Sequence, residues 1–212
     1  LRLLEEDSHS IDLAFVQGGS ATRPHAAGLV SLASLNYEPL WVFYRNTEEL
    51  TRITQLQDKR IAIGEPGSGT QSVTRTLLQD NGLDDAQVTR LAIGGEAAVS
   101  ALLGGKADAA FLVASVESPL VQQLLRTPGI RLLSFERAEA YTRQHHFLSR
   151  ITLPEGAIEL QENIPAQDTT LLAATANLVT HEDFHPALVG LLLQAAEEIH
   201  GGGSLFAGPH TF

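Results

Sequence analysis

Among these 212 residues the stretch Gly64-Glu65-Pro66-Gly67-Ser68-Gly69-Thr70 carries the clearest chemical signal. It falls between a predicted strand over 60–63 and a predicted helix over 70–80. A glycine-rich turn at a helix N-terminus points free backbone N–H groups and the positive end of the helix dipole at one spot. That spot suits a carboxylate, a phosphate or another oxyanion. Ser68 and Thr70 add hydroxyls, and Gly67 and Gly69 allow the tight turn. A nucleotide-hydrolysing P-loop needs a Lys after the last glycine, and here Thr70 and Gln71 follow Gly69. The bland alternative is a tight turn in which Ser68 or Thr70 caps the helix. Capping and ligand binding are compatible.

His181-Glu182-Asp183-Phe184-His185 matches the zinc-protease pattern His-Glu-x-x-His. That chemistry requires both imidazoles on one helical face. Pro186 follows directly and pushes His185 away from helical geometry, so the helix is predicted to start at Pro186 instead. His145 and His146 are adjacent, point about 100° apart on a helix, and read as an exposed helix end. No Gly-x-Ser-x-Gly elbow is present. No catalytic residue, metal site or cofactor is therefore expected, and the chain reads as a non-enzyme.

Gln17 and Ser115 follow predicted apolar strands, as the glycine loop does, and ligands of open α/β sheets sit beyond the carboxyl ends of strands. Tyr37, Glu38 and Trp41 share one segment. An aromatic there could stack on a ligand or could pack in the core.

The elements that must position these residues are legible as alternation. Residues 11–16, 29–35, 40–44, 60–63, 88–93, 107–113 and 130–135 read as strands. Residues 70–80, 96–103, 119–126 and 137–145 read as helices. Asn36 to Pro39 interrupts the second and third strands, and Leu1 to Glu6 has helical spacing. Strands separated by helices imply crossovers and a mostly parallel sheet. Residues 147–167, with Pro154, Gly156 and Pro165, read as a connection or hinge. Residues 169–179 read as a strand, and 186–199 as an amphipathic helix with leucines at 188, 191, 192 and 193.

Composition removes several function classes. The net charge is −11, with 14 Lys and Arg against 25 Asp and Glu, and no basic run could track a phosphate backbone. Nucleic acid is excluded as a partner, and an acidic surface disfavours anionic lipid. The absence of cysteine excludes thiol chemistry and disulfides. No apolar run is long enough to insert in a membrane.

Several segments in order resemble one family. These are Asn36-Tyr37-Glu38-Pro39-Leu40-Trp41-Val42-Phe43, then Lys59-Arg60-Ile61-Ala62-Ile63-Gly64 running into Gly67-Ser68-Gly69-Thr70, and Gly105-Lys106-Ala107-Asp108-Ala109-Ala110-Phe111. Asn163-Ile164-Pro165 and Thr175-Ala176-Asn177-Leu178-Val179 complete the set. Together they resemble the TAXI family, the solute-binding subunits of certain tripartite (TRAP) transporters. The resemblance implies an α/β, two-lobed, type II periplasmic-binding-protein-like fold, with mostly parallel sheets flanked by helices and two crossover segments. On this basis residues 1–58 form the first part of lobe 1, 59–165 form lobe 2, and 166–212 return to lobe 1. It implies capture of a small organic anion or amino acid, such as a dicarboxylate, 2-oxoacid or glutamate-like molecule, by hinge closure. It also implies docking on membrane permease subunits and a periplasmic or extracytoplasmic location, with membrane anchors in some members. By motif, Gln17, Tyr37, Glu38, Gly67, Ser68, Gly69, Thr70 and Ser115 fall at ligand positions. Such proteins begin with a further strand–helix–strand unit, and the expectation is that Leu1 lies just after it. A ligand-sensing module of a regulatory protein and an enzyme on the same fold remain the alternative readings.

Overall fold

The computed structural model describes residues 11–19 and 28–208. The predicted helix over Leu1–Glu6 lies outside them. The protein is mixed α/β, an open sheet flanked by helices, and its chain divides into two compact units. The first unit holds residues 1–38, 147–149 and 174–212; the second holds 39–146 and 150–173.

In order, the strands are β1 (Leu13–Gln17), β2 (Leu29–Tyr44), β3 (Arg60–Ala62), β4 (Thr89–Leu91), β5 (Ala109–Val113), β6 (Arg131–Leu132), β7 (Leu148–Leu153) and β8 (Thr169–His181). The helices are α1 (Gly69–Asp80), α2 (Gly95–Leu103), α3 (Pro119–Leu125), α4 (Ala138–Gln144) and α5 (Pro186–His200). The strands β2, β7 and β8 each run from one unit into the other.

Within the second unit the order is β2-β5-β3-β4, with β6 on β2. The pairs β3–β4 and β3–β5 are parallel, because helical crossovers connect them; β2–β5 and β2–β6 are antiparallel. The sheet is thus mixed. Leu40 to Tyr44 and Ala109 to Leu112 are apolar at every position and buried on both faces, as central strands must be. They pair in register, Trp41 opposite Leu112 and Val42 opposite Phe111. Trp41 is fully sealed, stacks on Phe43 at 6.1 Å, and donates its indole N–H to the Ala114 carbonyl at 2.9 Å. It is a core residue, not a ligand-facing one.

Two expectations change. The 29–35 and 40–44 strands are one strand of 16 residues. Pro39 does not break it: its carbonyl accepts from the Ala114 N–H at 3.3 Å, and the Ala114 carbonyl, which a residue with an N–H would bond there, accepts from the Trp41 indole instead. The segment after His146 is not irregular throughout, since β7 occupies Leu148–Leu153 with Leu148, Ile151 and Leu153 buried.

Within the first unit β1 pairs antiparallel with β8, Leu13 opposite Thr180 through Gln17 opposite Ala176. Its small core gathers Leu35, Leu178 and Ala196, with Leu13, Leu32 and Leu192 against it. The helix predicted over 186–199 is present as α5, but of its fifteen residues Ala196 alone is buried. Leu188, Leu191, Leu193 and Ile199 stay exposed. Among the described residues no helix is long and apolar enough to cross a membrane.

One ion pair fastens the start of β3 to the start of β5. Asp108 accepts from Arg60 Nε at 3.0 Å, Nη2 at 2.7 Å and the Arg60 backbone N–H at 2.8 Å. The Arg60 guanidinium bonds hold the Asp108 carboxyl below the usual carboxylate range. A depressed folded pKa contributes stability that is present above the unfolded value, about 3.9, and is lost as pH falls through the folded one. The pair is partly exposed, so screening keeps the contribution small. Chemical denaturation followed from neutral pH to below pH ~3 is expected to show an acid limb that Asp108→Asn flattens. An unchanged limb in that variant would assign the acid sensitivity elsewhere.

Candidate functional site

The glycine loop is built by local chemistry. Ser68 N–H donates to the Glu65 carbonyl at 3.0 Å across Pro66 and Gly67, and Gly67 has φ +79°. Proline at the second position and a left-handed glycine at the third define a type II turn. Ser68 then caps α1: its Oγ accepts from the Gln71 N–H at 3.1 Å. The Gln71 side chain reaches back and accepts from the Gly67 N–H at 3.2 Å, a capping box displaced by one residue. The Ser68 hydroxyl proton goes to the Glu65 carbonyl at 2.7 Å. Ser68 is therefore a helix cap whose donor is engaged. With Gln71 and Ser72 N–H groups bound to Ser68, those of Gly69 and Thr70 have no intrahelical acceptor.

Thr70 Oγ1 accepts from the Val113 N–H at 3.2 Å and so ties the first turn of α1 to the end of β5. A pocket of about 230 Å³ opens there. Glu65, Ser68 and Thr70 form one wall, Gly94 and Gly95 a second, and Ala114 with Ser118 a third. Gly94 is the N-cap of α2, so two helix N-termini face one cavity, flanked by the turn that opens α3. Close approach is enforced by the absence of a side chain: a Cβ on Gly94 would meet the Glu65 N at 3.0 Å. Among the described residues no Lys or Arg lines this cavity, and Glu65 is the one charged residue in its lining.

Of the residues singled out in sequence, the second unit gathers Ser68 and Thr70 on the pocket wall, with Gly67 and Gly69 in the turn that shapes it. Ser115 lies just beyond β5, where its Oγ accepts from the Glu117 N–H at 3.2 Å and its carbonyl from the Ser118 N–H at 3.0 Å. In the first unit Gln17 ends β1, and Tyr37 and Glu38 lie within β2. Tyr37 lines a separate cavity of about 190 Å³ with Ser34, Asn36, Thr175, His200 and Ser204. Glu38 is half-buried, its Oε2 is buried without a hydrogen-bond partner, and desolvation pushes its carboxyl pKa up. Sequence reasoning missed Gly94, Gly95 and Ser118. The first two carry the same strand–Gly–helix signal as the main loop, in weaker form.

The His181–His185 segment is not a metal motif. His181 ends β8, and His185 caps α5, its Nδ1 accepting from the Ala187 N–H at 3.2 Å. His145 lies 2.6 Å from Asp80 through Nε2.

This architecture has solved counterparts. The periplasmic aliphatic sulphonate binding protein SsuA from Escherichia coli superposes with a TM-score of 0.56 at 15% identity, over 94% of this chain and 56% of that one. A TctC solute binding protein from Polaromonas gives 0.54 at 18% identity, over 96% and 69%. An ancestral arginine-binding protein bound to arginine gives 0.55 at 14% identity, over 96% and 71%. Each of the three is a binding protein by name, and the chain spans just over half the length of the first. At such identities the likeness establishes the periplasmic-binding-protein-like fold. The sequence itself supplies the kinship: residues 12–198, nearly the whole described chain, match the NMT1-like family, and the protein belongs to that family.

Proposed function

We propose that this chain is the ligand-capturing part of an extracytoplasmic solute-binding protein that holds a small organic anion or amino acid and does no chemistry on it. The observation that carries this reading is the pair of helix N-termini, α1 and α2, facing one cavity in the second unit. Orphan backbone N–H groups and aligned dipoles favour an oxyanion there without any side-chain cation. Glu65 in the lining narrows the ligand. A carboxylate beside the oxyanion site disfavours a dianion and favours a molecule that carries an ammonium near its carboxylate. Ser115 in the second unit and, within the first unit, Gln17, Tyr37 and Glu38 are the other ligand-binding residues this reading assigns. The finer assignment is the solute-binding subunit of a TRAP transporter of the TAXI type, delivering its ligand to membrane permease subunits after hinge closure. The ordered resemblance of Asn36–Phe43, Lys59–Thr70 and Gly105–Phe111 to that family supports it.

The test is a thermal-shift screen against amino acids, dicarboxylates, 2-oxoacids, sulfonates and phosphate, with zinc and ATP as controls. A ligand at a hundred times its dissociation constant stabilises by about 2.7 kcal/mol, a readily measured shift. The expected response is to amino acids above dicarboxylates. A response to zinc or ATP alone would sink the proposal.

A further inference from the structure

The loop between β7 and β8 is closed by its own hydrogen bonds. Glu159 and Ile164 form an antiparallel bridge, the Gly156 N–H donates to the Pro165 carbonyl at 2.9 Å, and Asn163 Nδ2 donates to Glu155 Oε1 at 2.8 Å. The Glu155 N–H donates to Asp168 at 2.8 Å and shuts the base. Asn163 takes a left-handed φ of +52° to complete the tip. This framework presents one large apolar side chain to water: Leu160, 85% exposed, the most exposed large hydrophobic residue among those described. Its Cδ2 lies over Gly156, where any Cβ would stand 3.2 Å away. Residues 154–168 include Glu155, Glu159, Glu162 and Asp168 and neither Lys nor Arg.

Singly exposed leucines are common on protein surfaces; this one stands in a loop tied by its own hydrogen bonds and carrying charged residues of one sign only. We infer that this loop is a docking finger, with Leu160 as its apolar anchor and the carboxylates of Glu159 and Glu162, its near neighbours in sequence, as an acidic collar. Its partner is a protein that offers an apolar pocket rimmed by Lys or Arg on the extracytoplasmic face of a membrane. Charge decides among occupants. Anionic lipid headgroups would repel the collar. A second copy, also at −11 net charge, would set one acidic collar against another. A basic-rimmed pocket is favoured on both counts and gives the collar a steering role. That the partner is membrane-embedded rests on the solute-binding reading above; the finger itself does not.

The experiment is co-sedimentation of the protein with cytoplasmic-membrane vesicles of the source organism, beside trypsin-shaved vesicles and protein-free liposomes of the same lipids. Wild type is expected to bind intact vesicles saturably and in a salt-sensitive way, and to ignore the other two. Leu160→Ser is expected to weaken binding at least about tenfold, as truncation of an interface anchor does. A Glu159→Lys/Glu162→Lys variant is expected to weaken it and to remove the salt dependence. Both variants should keep the wild-type melting temperature, which separates docking from folding. Equal binding by Leu160→Ser, binding to bare liposomes, or no vesicle binding by wild type would each overturn the inference. The ligand screen on Leu160→Ser keeps the two proposals apart. A ligand response without vesicle binding defeats the finger alone, and vesicle binding without any ligand response defeats the solute-binding reading alone.

Discussion

Gly64→Ala is expected to lose the ligand response altogether and to cost the fold about 2–4 kcal/mol. Gly64 ends the β3 segment, where its N–H donates to the Ile93 carbonyl at 3.0 Å, and turns the chain into the pocket loop at φ +97°. Alanine is strained at that φ by about 1–2 kcal/mol. Its Cβ would also stand 2.7 Å from the Gln71 N, 2.9 Å from Thr70 Cβ and 3.0 Å from Ser68 Oγ. The first of these is backbone in the opening turn of α1 and cannot swing aside. Relief requires shifting the opening turn of α1, and with it the adjoining Gly69 and Thr70 N–H groups that are proposed to hold the oxyanion. Gly67→Ala is the matched control, because Gly67 is also left-handed but a Cβ there meets nothing within 4 Å. It should show the backbone strain without the steric part, and keep the ligand response. Urea unfolding and the thermal-shift screen on both variants test the pair. A Gly64→Ala protein as stable as Gly67→Ala would refute the steric argument.

Trp41→Ala is expected to be the most damaging single truncation in the second unit, at about 3–5 kcal/mol for the lost volume. Removal of the indole also leaves the Ala114 carbonyl without its donor, which adds about 1–3 kcal/mol if water cannot reach it. Trp41→Phe keeps the stack on Phe43 and separates the two effects, since it forfeits the hydrogen bond and only part of the volume. Ala114 is itself a wall of the pocket, so Trp41 supports that wall through its hydrogen bond. Both variants should weaken ligand capture beyond their effect on stability. Because Trp41 is the only tryptophan, circular dichroism must follow the unfolding in place of indole fluorescence. Equal stability of Trp41→Phe and wild type would show that the Ala114 bond contributes nothing.

Much of the pocket was legible because its chemistry is local. The turn, the cap and the orphan N–H groups are encoded within the eight residues from Gly64 to Gln71, and the structure forms them there. Gly94, Gly95 and Ser118 escaped because they stand 26 to 50 residues beyond Ser68, and only the ladders β3–β4 and β3–β5 bring their strands alongside. Trp41 divided between two readings for a similar reason: an aromatic in an apolar run shows no preferred face until its strand is known to be covered on both sides. Asn36 to Pro39 looked like an interruption by residue type, yet the Trp41 indole supplies to the Ala114 carbonyl the donor that Pro39 lacks. In α5 the leucine spacing gave the helix but not its burial, since periodicity cannot say what lies opposite.

The contrast between β2 and α5 also has a consequence in time. Amide protons of Val42 to Tyr44 lie in the half of β2, Leu40 to Tyr44, whose side chains are all sealed, so they exchange with solvent only when the second unit unfolds. The α5 amides are held by a helix anchored on Ala196 and a partly covered Leu192. Such a helix opens by itself at small free energy, and its protons leave many orders of magnitude sooner. Two clocks therefore run in one polypeptide, and whatever covers Leu191 and Ile199 would be seen first as a slowing of the faster one.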